Sequence, residues 1–340
     1  MKKLIIPRRL VPGDTIGIVC PSAGIHPKAI HRIIKAKSCL EQMGYKVKLG
    51  NSIISDGESY VSGTVEERVA DIHDMFCDNR VRMILTGIGG NHSNHLLRSL
   101  DFDLIRKNPK IVIGYSDITV LHYAIFTQSG LATYYGPCAA TQFGEHPTIL
   151  PYTEKWFKEA CVDTAYSPDS KLIKASDAWT DEFQDWFKKL DLLRPRKMLE
   201  NKGYHWINEG SAKGEALPAC IMSMNRLAGT PYWIDPTNKI LILDLLISQG
   251  ELDEPMVDSF LTDLKNIGVF DVIKGLIIGR PYGYSNDAKK RLYKYIEILT
   301  GNKYPIVSEF DIGHTDPMVT VRYGQKIKLD STKNLIKFLD

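Results

Sequence analysis

The 340-residue sequence has no long apolar run, no Cys-x-x-Cys pair and no marked excess of charge of either sign. Each absence removes a class of protein. No apolar stretch reaches the roughly 20 residues that cross a bilayer as a helix. The opening Met1-Lys-Lys-Leu-Ile-Ile-Pro7 offers three apolar residues before a proline and Arg8-Arg9, far short of the apolar core of a signal peptide. Six cysteines, Cys20, Cys39, Cys77, Cys138, Cys161 and Cys220, are widely scattered, so neither a zinc ribbon nor a disulfide framework is indicated and a reducing cytoplasm fits best. Net charge is +3 and evenly spread, which argues against nucleic acid or an anionic membrane as partner. Gly87-Ile-Gly-Gly90 lacks the Lys-Ser/Thr of a triphosphate loop and the full glycine spacing of a dinucleotide fold, which argues against nucleotide-triphosphate hydrolysis.

What is present is the balance of a globular enzyme, 44% hydrophobic and 24% charged, in a chain long enough for two domains. From Asp14 to about Thr141 apolar runs and helical stretches take turns. Thr15–Val19, Tyr45–Leu49, Val81–Leu85 and Lys110–Ile113 read as strands; Pro27–Met43, Val65–Cys77, Ser93–Leu100 and Asp117–Ser129 read as helices. That rhythm predicts a parallel sheet covered on both faces, with ligands at the carboxyl ends of its strands. The turns at Pro21–Gly24, Gly87–Asn91 and Gly114–Asp117 are therefore the places to look. Residues 166–209, where tryptophan, proline and charge crowd together, read as a connection, and residues 210–340 as a second, mixed α/β domain following an N-terminal domain of residues 1–165.

Ile111-Val-Ile-Gly-Tyr-Ser-Asp-Ile-Thr119 carries the most chemistry. An apolar strand stops at Gly114, and Ser116-Asp117 opens the next helix. A serine there can expose its hydroxyl above the sheet while unpaired helix N–H groups wait beside it for an oxyanion. It could equally do no more than cap the helix. Glycines 89 and 90 close a neighbouring strand and could offer a backbone N–H to the same pocket. His314, in the glycine- and proline-punctuated Asp311–Met318 loop, is the candidate general base, and Asp244 at the end of Ile240–Leu243 its candidate orienting carboxylate, with Glu251 and Glu254 as alternatives. His92 and His95 have metal-ligand spacing but no acidic or cysteine partner at a matching interval, and read as solvated; His122 faces away from Ser116 and reads as structural.

With these residues in place the sequence resembles the LD-carboxypeptidase family of serine peptidases, most of all its microcin C self-immunity branch. The resemblance rests on Val11–Gly24, on Arg68 with Ala70-Asp71, on Gly87-Ile-Gly-Gly-Asn-His-Ser-Asn94, and above all on Asn108–Thr119 with Tyr135-Gly-Pro137 and Phe143–Pro147. It implies a flavodoxin-like, class I glutamine amidotransferase-like N-terminal domain and a smaller swivelling β/β/α C-terminal domain. It also implies Ser116 as nucleophile, His314 as base, oxyanion donors at the Gly90 and Asp117 amides, no metal, no cofactor, and a homodimer. Two positions depart from the family. Asp244 stands where relatives have a glutamate, and Leu217-Pro-Ala-Cys-Ile-Met-Ser223 stands where they carry a Gly-Asn-Leu-Ser segment. The implied substrate is a peptidyl or aminoacyl nucleotide, with Gly89, Asn91, Trp179 and Trp186 as candidate contacts. A murein tetrapeptide substrate, or a non-catalytic binding protein on the same fold, are the alternatives.

Overall fold

The computed structural model describes residues 3–54, 57–163, 171–247 and 253–340. The first half runs β1 (Thr15–Val19), α1 (Ile30–Gln42), β2 (Lys46–Leu49), α2 (Val65–Cys77), β3 (Val81–Thr86), α3 (Phe102–Lys107), β4 (Ile111–Gly114), α4 (Thr119–Ser129), β5 (Tyr134–Tyr135) and α5 (Pro151–Cys161). A two-stranded ribbon follows, β6 (Ala178–Trp179) and β7 (Leu199–Glu200). The second half runs β8 (His205–Asn208), β9 (Ser211–Cys220), α6 (Ile221–Asn225), β10 (Ile240–Asp244), α7 (Glu254–Asn266), α8 (Val269–Val272), β11 (Gly275–Gly279), α9 (Asn286–Thr300), β12 (Ile306–Phe310), β13 (Val321–Arg322), β14 (Lys326–Asp330) and β15 (Leu335–Phe338).

The expected α/β architecture is present as two sheets. The first has the order β13-β5-β4-β3-β1-β2, with β5 to β2 parallel; β3 apart from Arg82, β4 and the last four residues of β1 are buried, as strands covered on both faces must be. The second has the order β15-β14-β9-β10-β11-β12-β8, a parallel centre of β9 to β12 flanked by antiparallel edges. Local chemistry sets the helix ends. Thr64 and Glu67 form a reciprocal capping box at α2, and Ser285 caps α9 by accepting from the Ala288 N–H.

The sequence boundaries shift in two places. β8 lies inside the segment expected to be a connection, and pairs with β12. β13, far along the second half, pairs antiparallel with β5 and completes the first sheet. The helical stretch expected over 93–100 is only a 3₁₀ turn, Ser93–Leu96. Its polar residues are drawn into side-chain bonds instead, with the Ser93 N–H and Oγ both donating to Asp117. Helix α4 is buried along most of its length because it lies between β5 of one sheet and β9 of the other. One apolar core cluster accordingly runs from Val19 to Phe338 and joins the two halves, and a second, from Leu10 to Val162, lies within the first half. Among the described residues no helix is long and apolar enough to cross a membrane.

Candidate active site

Strand β4 ends at Gly114, and the chain turns so sharply that Ser116 adopts φ 64°, a left-handed conformation that costs an L-residue about 1–2 kcal/mol. At the start of that turn Gly114 passes hard against Thr86 of β3, leaving no room for a side chain. The result lifts Ser116 Oγ to 3.0 Å from His314 Nε2. The two residues lie 198 positions apart in sequence.

His314 is held from several sides. Its Nδ1 lies 2.8 Å from Asp244 Oδ2, and its backbone N–H donates to Asp244 Oδ1 at 3.3 Å. The Nδ1 approach is off the ring N–H direction, so it is a close electrostatic contact rather than a directed hydrogen bond. Tyr115 presents its ring edge-on, 5.1 Å from the imidazole centroid, and Tyr282 lies at 6.3 Å. Asp244, at the end of β10, is 2% exposed. Its Oδ2 accepts from the Tyr135 hydroxyl at 2.7 Å, and that hydroxyl accepts from the Ser116 N–H at 3.3 Å. Of the alternative carboxylates, Glu254 is engaged with Arg291 at 2.8 Å, and Glu251 lies outside the described residues.

Gly89 faces the serine. A side chain there would begin 3.0 Å from Ser116 Cβ, 3.2 Å from its Oγ and 3.6 Å from the Asp117 nitrogen. Gly90, at φ 140°, packs so close to Ser22 and Ala23 that only glycine fits. Among the described residues, neither the Gly90 nor the Asp117 amide has an acceptor within the protein. The Asp117 side chain is fully used as a clamp: Oδ2 accepts from Ser22 Oγ at 2.7 Å and the Ser93 N–H at 2.8 Å, and Oδ1 from Arg226 at 3.2 Å. Arg226 also donates to the Asn91 carbonyl at 2.9 Å, so Asn91 is tied to the second half of the chain and does not line the cavity.

Ser116, His314 and Gly89-Gly90 open into a cavity of about 360 Å³, within the ordinary range of small-ligand sites. A wider cleft of about 1280 Å³ shares Asp181, Phe183 and Tyr282 with it but contains neither Ser116 nor His314. Trp186 lines the smaller cavity; Trp179 does not. The Trp179 ring instead receives Arg280 at 4.8 Å and Lys289 at 5.2 Å, drawn against the second half by those cations.

Sequence reasoning missed the cavity's ionic floor. Arg196 bridges Glu145 at 2.9 Å and Asp316 at 2.8 Å, and Arg32 contacts Asp191 at 3.2 Å. Burial acts to lower the Arg196 pKa, but Asp316 and Glu145 outweigh it and hold it above its ordinary value. Burial pushes the Glu145 carboxyl up against the pull of Arg196 and Arg32. The only signals in the sequence were Glu145 inside a family motif and Asp316 two residues from His314.

The other histidines lie outside the cavity lining. His122 is buried and donates through Nε2 to the Gly114 carbonyl at 3.0 Å. The His92 ring sits between Tyr60 and His95, and His95 Nδ1 accepts from Arg68 at 3.4 Å. Among the described residues no group of three or more His, Cys, Asp or Glu side chains could hold a metal ion. The Leu217–Ser223 segment does not line the cavity; its Cys220 N–H donates to Thr119 Oγ1 at 3.0 Å, packing the end of β9 against the start of α4.

Residues 16–136 match the LD-carboxypeptidase N-terminal domain, and residues 213–329 match the LD-carboxypeptidase C-terminal domain. The chain belongs to the LD-carboxypeptidase family. The family's peptidase character comes with it. The chain is 34% identical to the putative carboxypeptidase YocD of Bacillus subtilis over 95% of each protein. It is 30% identical to the microcin C7 self-immunity protein MccF of Escherichia coli, over 96% of this chain and 93% of that one. It is 29% identical to a probable murein peptide carboxypeptidase of Bacillus subtilis, over 96% and 92%. Among solved structures, the MccF-like protein of Bacillus anthracis superposes with a TM-score of 0.87 at 30% identity, covering 98% of this chain and 99% of that one. MccF in complex with aspartyl sulfamoyl adenosine gives 0.87 at 28% identity, over 99% and 98%. The two-domain α/β fold is shared with these LD-carboxypeptidase family members.

Proposed function

We propose that the chain is a serine hydrolase that cleaves an amide bond through Ser116, His314 and Asp244, and that its substrate is an aminoacyl or peptidyl nucleotide. The observation that carries this reading is the 3.0 Å separation of Ser116 Oγ from His314 Nε2 at the mouth of a cavity walled by Trp186. Ser116 Oγ attacks the amide carbonyl carbon while His314 Nε2 takes its proton. The Asp244 carboxylate stabilises the imidazolium that forms. The Gly90 and Asp117 amides receive the oxyanion, in a region that Gly89 leaves open above the serine. Collapse of the tetrahedral species breaks the C–N bond, and His314 returns its proton to the leaving amine. Water then attacks the acyl-enzyme by the same route in reverse.

The nucleotide preference is supported by the aspartyl sulfamoyl adenosine bound by MccF and by the placement of Trp186, an aromatic ring on which a base can stack. A second reading, a carboxypeptidase acting on a murein tetrapeptide, is favoured by the relative of that description. Purified protein offered aspartyl sulfamoyl adenosine and a murein tetrapeptide side by side separates the two. The nucleotide reading expects the first to be hydrolysed with the higher kcat/KM, and the reverse preference overturns it. A serine-directed phosphonate tests the mechanism itself: labelling of Ser116 that survives His314→Ala unchanged would sink the triad.

A further inference from the structure

Asp244, the proposed acid, has a stem one methylene shorter than the glutamate that the family resemblance implies, yet its Oδ2 comes within 2.8 Å of the imidazole. Two features make that reach possible. The first is backbone: Gly313, at φ 95°, lies so close that a side chain there would begin 3.0 Å from Asp244 Cβ and nearer still to its carboxylate. The second is Tyr135, at the end of β5 and fully buried, whose hydroxyl sits between the serine and the acid. We infer that Tyr135 is a positioning residue of this hydrolase, fixing through one hydroxyl both the rotamer of Asp244 and the strained backbone of Ser116. The inference rests on the triad reading given above.

The hydrogen-bond chain is directional. The Ser116 N–H donates to the phenol oxygen, so the phenol proton is free to point at Asp244 Oδ2. That oxygen is the same one that faces His314 Nδ1. A carboxylate on a short stem, held by the His314 N–H at Oδ1 alone, could rotate about its Cβ–Cγ bond. The phenol pins the second oxygen and fixes the plane. It also draws off part of the charge that Oδ2 offers the imidazole, so its acidity sets how strongly Asp244 supports the imidazolium. The arrangement further commits the Ser116 amide to the phenol, leaving the oxyanion to the Gly90 and Asp117 amides.

Few other groups around Tyr135 complicate this chemistry. The tyrosine ring is flanked by Tyr115 and His122, each at 6.4 Å between centroids, and Cys220 lies close enough to affect its ionisation. Burial raises the Tyr115 and Cys220 pKa values and lowers that of His122 to about 4, so all three are uncharged at neutral pH. Burial and the neighbouring Asp244 hold Tyr135 itself well above the ordinary tyrosine range, which keeps its proton in place. Asp244 is the charged group that meets the hydroxyl, and His314 lies on the far side of Asp244.

Two substitutions at position 135 test the inference in opposite directions. Tyr135→Phe removes the hydroxyl and is expected to lower kcat about 10- to 100-fold with KM changed less than about threefold, and to move the acid limb of the kcat/KM–pH profile to higher pH. 3-Fluorotyrosine at position 135 keeps the shape but makes the phenol a stronger donor, and is expected to move that limb to lower pH. The fluorinated protein keeps the test alive should Tyr135→Phe fold poorly. A purely structural tyrosine would lower the melting temperature on losing its hydroxyl and leave the limb unmoved in both proteins; that result overturns the inference. Ser116→Ala, assayed alongside, separates the two levels. If it retains turnover the triad reading has failed; if it is inactive while both Tyr135 proteins keep wild-type rates and profiles, only the role of Tyr135 has failed.

Discussion

Arg32 and Trp186 form a cation–π pair on the cavity wall, with the guanidinium carbon 4.5 Å from the ring centroid. Trp179 forms the equivalent pair with Arg280, but away from the cavity. The two tryptophans thus share a chemistry and differ in what their free surfaces face. Stacking of a base on an aromatic ring is worth about 1–3 kcal/mol. Trp186→Ala is therefore expected to raise KM for aspartyl sulfamoyl adenosine about 10-fold or more. Trp179→Ala should leave KM within about twofold and act on thermal stability instead. Equal effects on KM in steady-state assays would remove Trp186 from the nucleotide site.

Gly313 is the second place where one substitution separates geometry from chemistry. An alanine there would collide with the Asp244 carboxylate and would also sit at φ 95°, where a side chain is strained. Gly313→Ala should lower kcat by about 10-fold or more and destabilise the protein by roughly 1–2 kcal/mol. Urea unfolding followed beside initial rates checks both. A fully active alanine variant would mean that the Asp244–His314 contact is not needed for turnover.

Ser116 combines a proposed catalytic role with an unfavourable backbone conformation, and the two can be pulled apart. Ser116→Gly relieves the left-handed strain, whereas Ser116→Val places a β-branched side chain in it. Both should lose about 10⁴-fold or more in turnover. The glycine variant should nevertheless melt at or above the wild-type temperature, and the valine variant below it. Calorimetry on the two proteins reads the ordering directly.

His122 makes the fold sensitive to acid. Burial lowers its pKa to about 4, so between about pH 6.5 and 4 the unfolded chain binds a proton there that the folded chain does not. Stability must fall as pH falls through that window, by up to roughly 3 kcal/mol at its lower end. His122→Gln, whose amide can still donate to the Gly114 carbonyl, should flatten the decline between pH 6.5 and 4.5. Equal slopes for wild type and variant in urea unfolding at several pH values would show that other groups govern the acid response.

Much of this architecture was legible in the sequence because the relevant signals are local. Strands β1, β3 and β4 are apolar runs with turns at their ends, and α2 is a helical stretch over Val65–Cys77, so the parallel sheet and the serine turn could be read from short windows. Elements with little local signal were missed. β13 is two residues long and is a strand only because β5 lies beside it. β8 is half exposed and was hidden in a polar stretch. At the site, Ser116 and His314 stood out through their turns, but Tyr135 meets Asp244 across 109 positions and nothing near Tyr135 in the sequence marks that encounter. Trp179 and Trp186 were indistinguishable as letters, since their separation depends on Arg280 and Arg32, which come from opposite halves of the chain.

The return of β13 to the edge of the first sheet bears on how the protein is made. β5 (Tyr134–Tyr135) leaves the ribosome long before β13 (Val321–Arg322), its outer neighbour in the sheet, has been made. His314 emerges just ahead of it. A nascent chain therefore carries Ser116 through 198 further positions before His314 is made, and truncation shortly before residue 321 would keep that histidine yet leave the edge of the first sheet open.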